Sequence, residues 1–238
     1  TVKRVIFLNY NTEYISIIDA IIKNFLVKEY AYTLDWSKYE VLIQNNQFSQ
    51  LKSERGIFDI LGRNSKVRVK NSIFREIRIN DVGFMINDKN TEITFDSNLF
   101  SDFLTKKCLM KIWIFNKGIT LINNAFSNFF MGKLLSFEEV FVEIYLFVVD
   151  YSNEYVLFRS NNISDFTSYS GLMSCGIKNF NITYSLNKFT NCSSESDMIT
   201  FIDSSSDGSS VINFLDNEFI WIYITRWLNS FISLKSLN

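Results

Sequence analysis

The chain has 238 residues, with 24 lysines and arginines against 25 aspartates and glutamates and no histidine. A net charge of −1 removes the electrostatic case for nucleic acid or an anionic membrane surface as a partner. Three cysteines make no disulfide framework, and the longest apolar run, Val140 to Val149, is broken by Glu143 and too short to cross a bilayer.

Read from the N-terminus, apolar pairs return in a fixed order around a small or amide anchor. Ile6 and Leu8 come first, then Ile15 and Ile17, the anchor Ala20, and Ile22 with Phe25. The next rung holds Tyr32 and Leu34, Val41 and Ile43, anchor Asn46, and Phe48 with Leu51. It is followed by Phe58 and Ile60, Val67 and Val69, anchor Ser72, and Phe74 with Ile77. Then come Phe84 and Ile86, Ile93 and Phe95, anchor Asn98, and Phe100 with Phe103. Met110 and Ile112, Ile119 and Leu121, anchor Asn124, and Phe126 with Phe129 make the fifth rung. Phe147 and Val149, Val156 and Phe158, anchor Asn161, and Ile163 with Phe166 make the sixth. Met173 and Cys175, Ile182 and Tyr184, anchor Asn187, and Phe189 with Cys192 make the seventh. The last has Ile199 and Phe201, Ile212 and Phe214, anchor Asn217, and Phe219 with Ile222.

The first five anchors are spaced 26 residues apart, and Asn161 to Asn187 repeats that interval. A constant period of this size is the signature of a solenoid. β-Branched and aromatic residues two apart read as strands with both side chains on one face. The interval from Asn124 to Asn161 carries eleven extra residues, which the pattern places as a loop within 130–145. Four more, before Asn217, are placed in the Ser204–Ser210 run, within 204–210. A second asparagine column precedes the anchor by eight positions, at Asn64, Asn90, Asn116, Asn153 and Asn179. Both columns are expected to occupy tight turns, where asparagine tolerates the left-handed conformation, and to stack as amide ladders.

Ile119-Thr120-Leu121-Ile122-Asn123-Asn124-Ala125-Phe126-Ser127-Asn128 resembles the rung consensus of right-handed parallel β-helix proteins of the pectin-lyase-like superfamily. The resemblance runs from Val5 to about Ile222 and is one of repeat pattern, not of catalytic motif. It implies an all-β chain, a right-handed single-stranded parallel β-helix of about eight 26-residue rungs, and a single domain over residues 1–238. A leucine-rich repeat shares part of the pattern, but requires an apolar residue where the second asparagine column stands. Both ends of the chain carry strand pattern without a polar cap, so the expectation is a segment of a longer chain or a subunit that stacks on itself end to end.

Polysaccharide-cleaving members of such a superfamily use clustered aspartates with arginine, lysine or histidine from neighbouring rungs, and no such signature is matched here. The nearest substitute is Glu76 and Asp102, in one column on adjacent rungs beside Arg75. Glu40, Lys66 and Glu92 share another column with alternating sign and read as an exposed charge ladder. Asn162-Ile163-Ser164, Asn181-Ile182-Thr183 and Asn191-Cys192-Ser193 are candidate N-glycosylation sites whose asparagines should point outward. Trp221, Tyr223 and Trp227 cluster near the C-terminus and are expected to belong to the last rung or to cover its end.

The reading is therefore a structural, non-catalytic β-helix repeat domain of a large cell-surface or extracellular protein, serving as rigid spacer, adhesion surface or filament subunit. No cofactor, metal, nucleic acid or transmembrane segment is called for. Expected partners are neighbouring rungs or subunits at the apolar ends, and glycans. The alternative is a carbohydrate-binding or polysaccharide-cleaving β-helix that uses Glu76 and Asp102.

Overall fold

The fold was analysed in a computed structural model, which describes residues 6–9, 14–35, 40–61, 66–87, 90–113, 116–131, 145–149, 153–176, 181–203, 211–224 and 232–236. The chain is a parallel β-solenoid, with all its strands paired in parallel among the described residues. Three sheets run along it. The first has nine strands, from Ile6–Asn9 through Val82–Ile86 to Ile232–Ser236, and contains the apolar pairs that open each rung. The second has eight, from Tyr14–Ile18 through Glu92–Asp96 to Val211–Leu215, just before each anchor. The third follows each anchor and runs from Ile21–Lys23 through Leu99–Thr105 to Glu218–Ile224.

The 26-residue interval is a structural register. Val67 faces Ile93, Ile93 faces Ile119, and Phe74, Phe100 and Phe126 pair in succession. Across the longer interval Phe126 meets Ile163, and across the last one Phe189 meets Phe219. Of the two insertions placed within 130–145 and 204–210 to absorb those length differences, residues 132–144 and 204–210 lie outside the described residues. About eight rungs were expected. About six turns have a buried anchor, from Asn46 to Asn187, whereas the end anchors Ala20 and Asn217 are only part-buried, because each has a covering rung on one side.

The third sheet explains a spacing that the sequence shows without a reason. Its inward residues are three apart (Phe100 then Phe103), not two. A strand can do this only if one residue bulges. Asp102 does so with φ 58°, and the same column, Gln50, Glu76, Asn128, Asp165 and Asn191 included, is left-handed throughout. A second left-handed column, Asn45, Asn71, Ser97, Asn123 and Ser160 among its members, turns the chain between the second and third sheets. This corrects the expected role of the anchors. The residue before each anchor makes the turn, and the anchor asparagine itself points inward and is buried.

Buried inward, an amide must satisfy all its hydrogen-bonding groups within the protein. Asn98 Nδ2 donates to Val69 O at 2.8 Å and to Asn124 Oδ1 at 3.0 Å, and its main-chain N–H donates to the same Oδ1 at 3.0 Å. Asn124, Asn161 and Asn187 repeat this arrangement, so one ladder runs down the corner. Ser72 is the exception: its Oγ accepts from Asn46 N at 3.2 Å and donates to Lys70 O. The second asparagine column does the same at the corner between the first and second sheets, where Asn90 donates to Asn116 Oδ1 and Asn116 N to Asn153 Oδ1. Its other members, Asn64 and Asn179, lie outside the described residues. At the third corner, buried hydroxyls serve: Ser53 Oγ donates to Glu29 O and Thr105 Oγ1 to Asp81 O.

Between the corners the interior is apolar and stacked. Phe48, Phe74, Phe100 and Phe126 lie ring on ring, with centroids 4.8–4.9 Å apart and planes within 6°. Rings from the facing sheet meet them edge-on, as Phe84 meets Phe74 at 81°. Each such ring contributes roughly 1.5–3 kcal/mol by leaving water, and each ring pair about 0.5–1.5 kcal/mol more. The closeness of successive rungs also selects glycine at position 56, where a Cβ would stand 1.9 Å from Val82 O and 2.5 Å from the Tyr30 ring.

Candidate surface sites

With the interior filled, any chemistry must stand on the outer faces and corners. The left-handed outer column four places after each anchor brings Glu76 and Asp102 to adjacent rungs, as their spacing indicated. Arg75 Nε lies 3.1 Å from Glu76 Oε1 and 3.8 Å from Asp102 Oδ2, so one guanidinium serves both carboxylates. Each acid also has an amide partner that the sequence reading did not single out. Gln50 Nε2 donates to Glu76 Oε2 at 3.1 Å, and Asn128 Nδ2 donates to Asp102 Oδ1 at 3.0 Å. Asn191 and Asp165 repeat that pairing at 2.8 Å. The signal was present in the sequence as an uninterrupted polar column from Asn24 to Asn191, but without the bulge its residues could not be aligned outward.

On the second sheet, Glu40, Lys66 and Glu92 do share a column. The closest ionic contacts belong to Arg68, one outward position along the same strand. It reaches Glu40 at 2.8 Å and Glu92 at 3.3 Å. Its hydrogen bond to Glu92 holds that carboxyl below the usual carboxylate range, against the opposing effect of partial burial. The same contact raises the pKa of Arg68 further, so the guanidinium stays charged. Thr94 Oγ1 completes the group by donating to Glu92 at 3.1 Å.

The thiols, and two of the phenols, are sealed inside. Cys108, Cys175 and Cys192 are all buried. Burial pushes the Cys192 thiol up to about 12, so it stays protonated at neutral pH. Burial likewise pushes the Tyr32 phenol up to about 12 and raises that of Tyr184, whose hydroxyl donates to Met173 Sδ inside the core. Among the described residues no cluster of three or more His, Cys, Asp or Glu side chains is placed to hold a metal ion, and no helix is long and apolar enough to cross a membrane.

All three sequon asparagines, Asn162, Asn181 and Asn191, are exposed, while the middle residues Ile163, Ile182 and Cys192 are fully buried. Asn162 stands on the third sheet, Asn181 at the start of a second-sheet strand, and Asn191 on the left-handed outer column. Trp221 and Tyr223 lie on the last third-sheet strand and face outward, 69% and 55% exposed. Of the two places expected for them, this is the last rung. Trp227 lies outside the described residues.

Comparison with known protein families, with curated proteins and with solved structures gave no match for this chain.

Proposed function

We propose that this chain is a non-catalytic structural domain, a stiff β-solenoid that spaces or displays surfaces on a cell-surface or extracellular protein. The observation that carries the reading is the continuity of the stacked interior. A ladder of anchor side chains, amides except for the Ser72 hydroxyl, joins the rungs from Asn46 to Asn217, and stacked rings from Phe48 to Phe126 run beside it. A strand in such a stack cannot move without breaking main-chain pairing on both sides, so the fold suits bearing load and holding distance. At a rise of ~4.8 Å per rung the stack is on the order of 40 Å long. The exposure of all three sequon asparagines supports the surface location. The rung pattern that resembles the pectin-lyase-like superfamily fits the same reading, since such a scaffold can keep its core without the catalytic residues.

The alternative, carbohydrate cleavage by Glu76 and Asp102, is supported by their adjacency. Against it stands their engagement with Arg75, Gln50 and Asn128, which occupies oxygens of both carboxyls on an open, solvated face. The test combines two measurements. The intact mass of protein from its native source, before and after glycosidase treatment, should fall on treatment if the surface reading holds. An unmodified mass with reduced thiols would move the chain to an intracellular scaffold. Polysaccharide cleavage that disappears in the Glu76→Gln, Asp102→Asn double variant would replace the structural reading with the enzymatic one.

A further inference from the structure

The outer left-handed column is polar at every rung from Asn24 to Asn191 and then ends in an aromatic, Trp221, at φ 51°. Asparagine and aspartate tolerate that conformation because their short polar side chains can bond locally, but a bulky side chain there costs stability. Trp221 is nevertheless the most exposed large apolar side chain described, and Tyr223, two residues on, is exposed beside it. The bulge lets Phe219 stack on Phe189 and Ile222 pack against the core, as in the other rungs, but that needs no indole at the bulge, and the indole itself stays in solvent.

The residue below Trp221 in the column is Asn191. Thr190 pairs with Ile220 and Cys192 with Ile222, so Asn191 stands opposite Trp221, and Ser193 stands opposite Tyr223. Adjacent rungs are ~4.8 Å apart. Asn191 and Ser193 are the first and third residues of the sequon Asn191-Cys192-Ser193. The sequon's two polar residues and the two exposed aromatics therefore form one patch on the outer face of the third sheet.

We propose that Asn191 carries an N-linked glycan and that Trp221, flanked by Tyr223, is the platform on which its first N-acetylglucosamine stacks. The proposal rests on the surface reading above and names what that surface carries. Its chemistry is consistent with the observed bonding. Asn191 Nδ2 donates one hydrogen to Asp165 Oδ1 at 2.8 Å in the rung below. The two N–H bonds of a planar amide diverge, so the other is aimed away from the Asp165 rung. In the modification, Nδ2 loses one proton and forms a bond to the sugar C1, while the C1–O bond of a lipid-diphosphate-linked oligosaccharide breaks and the diphosphate departs with its electron pair. The remaining hydrogen still serves Asp165, which fixes the linkage while the apolar face of the sugar ring meets the indole. The other two sequons lack this arrangement. Asn162 pairs with Ala125 and Lys188, and Asn181 with Tyr155 and Val211, neither beside an exposed aromatic pair.

The test uses the full chain secreted from a glycosylating eukaryotic host, with site-resolved glycopeptide mass spectrometry and native-state release by peptide N-glycosidase. Asn191 is expected to be occupied and to lose its glycan more slowly than Asn162 in the same folded molecules. Trp221→Ala should speed release at Asn191 about threefold or more and leave release at Asn162 unchanged. Trp221→Asn restores the residue type of the column, so it should fold at least as well and release equally fast, which separates loss of the platform from misfolding. An unmodified Asn191, or release unaffected by either change, overturns the proposal. Occupied Asn162 and Asn181 in native-source protein with an unoccupied Asn191 would remove only the platform. Native-source protein bare at all three positions would remove the surface reading itself.

Discussion

At every buried anchor but Ser72, a single asparagine side chain ties its rung to its neighbours. Asn124 accepts the main-chain N–H and the side-chain amide of Asn98, and donates to Phe95 O and to Asn161 Oδ1. Asn124→Ala would take the side-chain partner from the Asn98 main-chain N–H and the Phe95 carbonyl, each at about 1–3 kcal/mol, while Asn98 Nδ2 keeps Val69 O and Asn161 Oδ1 keeps the Asn124 main-chain N–H. The expected loss is about 3–5 kcal/mol in denaturant unfolding, and a loss under 1 kcal/mol would show that water replaces the amide. Ser72 gives the converse. In the other rungs the anchor Nδ2 reaches the carbonyl at the end of the preceding second-sheet pair, such as Ile17, Val69 or Phe95. Ser72 has no such amide, so Ser72→Asn should complete the ladder toward Ile43 and stabilise the fold by about 1 kcal/mol. Core and surface residues separate equally sharply. Phe100 is fully buried between Phe74 and Phe126, so Phe100→Asp should abolish folding, whereas the half-buried Asp96, which accepts from Ser97 Oγ, should tolerate Asn.

At the level of the strand, charge is arranged between rungs. Lys66–Lys70 is a basic strand whose Lys66 faces Glu40 and Glu92 and whose Lys70 faces Asp96. The hydrogen bond from Arg68 lowers the Glu92 pKa, so this group stabilises the fold above the unfolded carboxylate pKa of about 4.3. That stabilisation disappears as pH falls through the lowered folded value. The stability difference between wild type and Glu92→Gln should therefore be flat above about pH 5 and shrink in more acid solution. Its size should be ~0–1 kcal/mol, since the pair is partly solvated, and it should fall with added salt. A difference that grows on acidification would assign Glu92 a raised pKa instead. This scale also marks what could be read from the sequence. The apolar columns and their 26-residue register were legible because burial makes them repeat. The third sheet was legible only as an odd spacing, because a left-handed bulge residue is polar and looks like any turn residue. The Arg68 contacts were not legible, because outward side chains two apart compete for the same neighbours and only geometry decides between Lys66 and Arg68. The acidic pair was found, but its amide partners were not, since they needed the bulge to be placed on the same column.

The molecule as a whole is nearly one-dimensional, and that determines how it should fail. Each rung contacts only the rungs before and after it, so stability is a sum of rung terms and interfaces between neighbours. A central rung has two interfaces and a terminal rung one. Phe126 stacks on Phe100 at 4.9 Å and meets Phe147 edge-on, inside a fully covered rung. Phe214 stacks on Tyr184 at 4.8 Å, but its own rung is only part-buried. Both truncations remove the same ring, yet the costs should differ in kind. Phe126→Ala should lower the global unfolding free energy by about 3–5 kcal/mol and speed hydrogen exchange of the most protected amides throughout the stack. Phe214→Ala should speed exchange only over residues 211–224 and leave the amides around Asn98 and Asn124 as they were. If both variants shifted every amide alike, the solenoid would be a single cooperative unit whose ends are as firmly held as its middle. If the localised result is found, a rod of this kind frays from its ends while its central ladder persists, as a spacer requires.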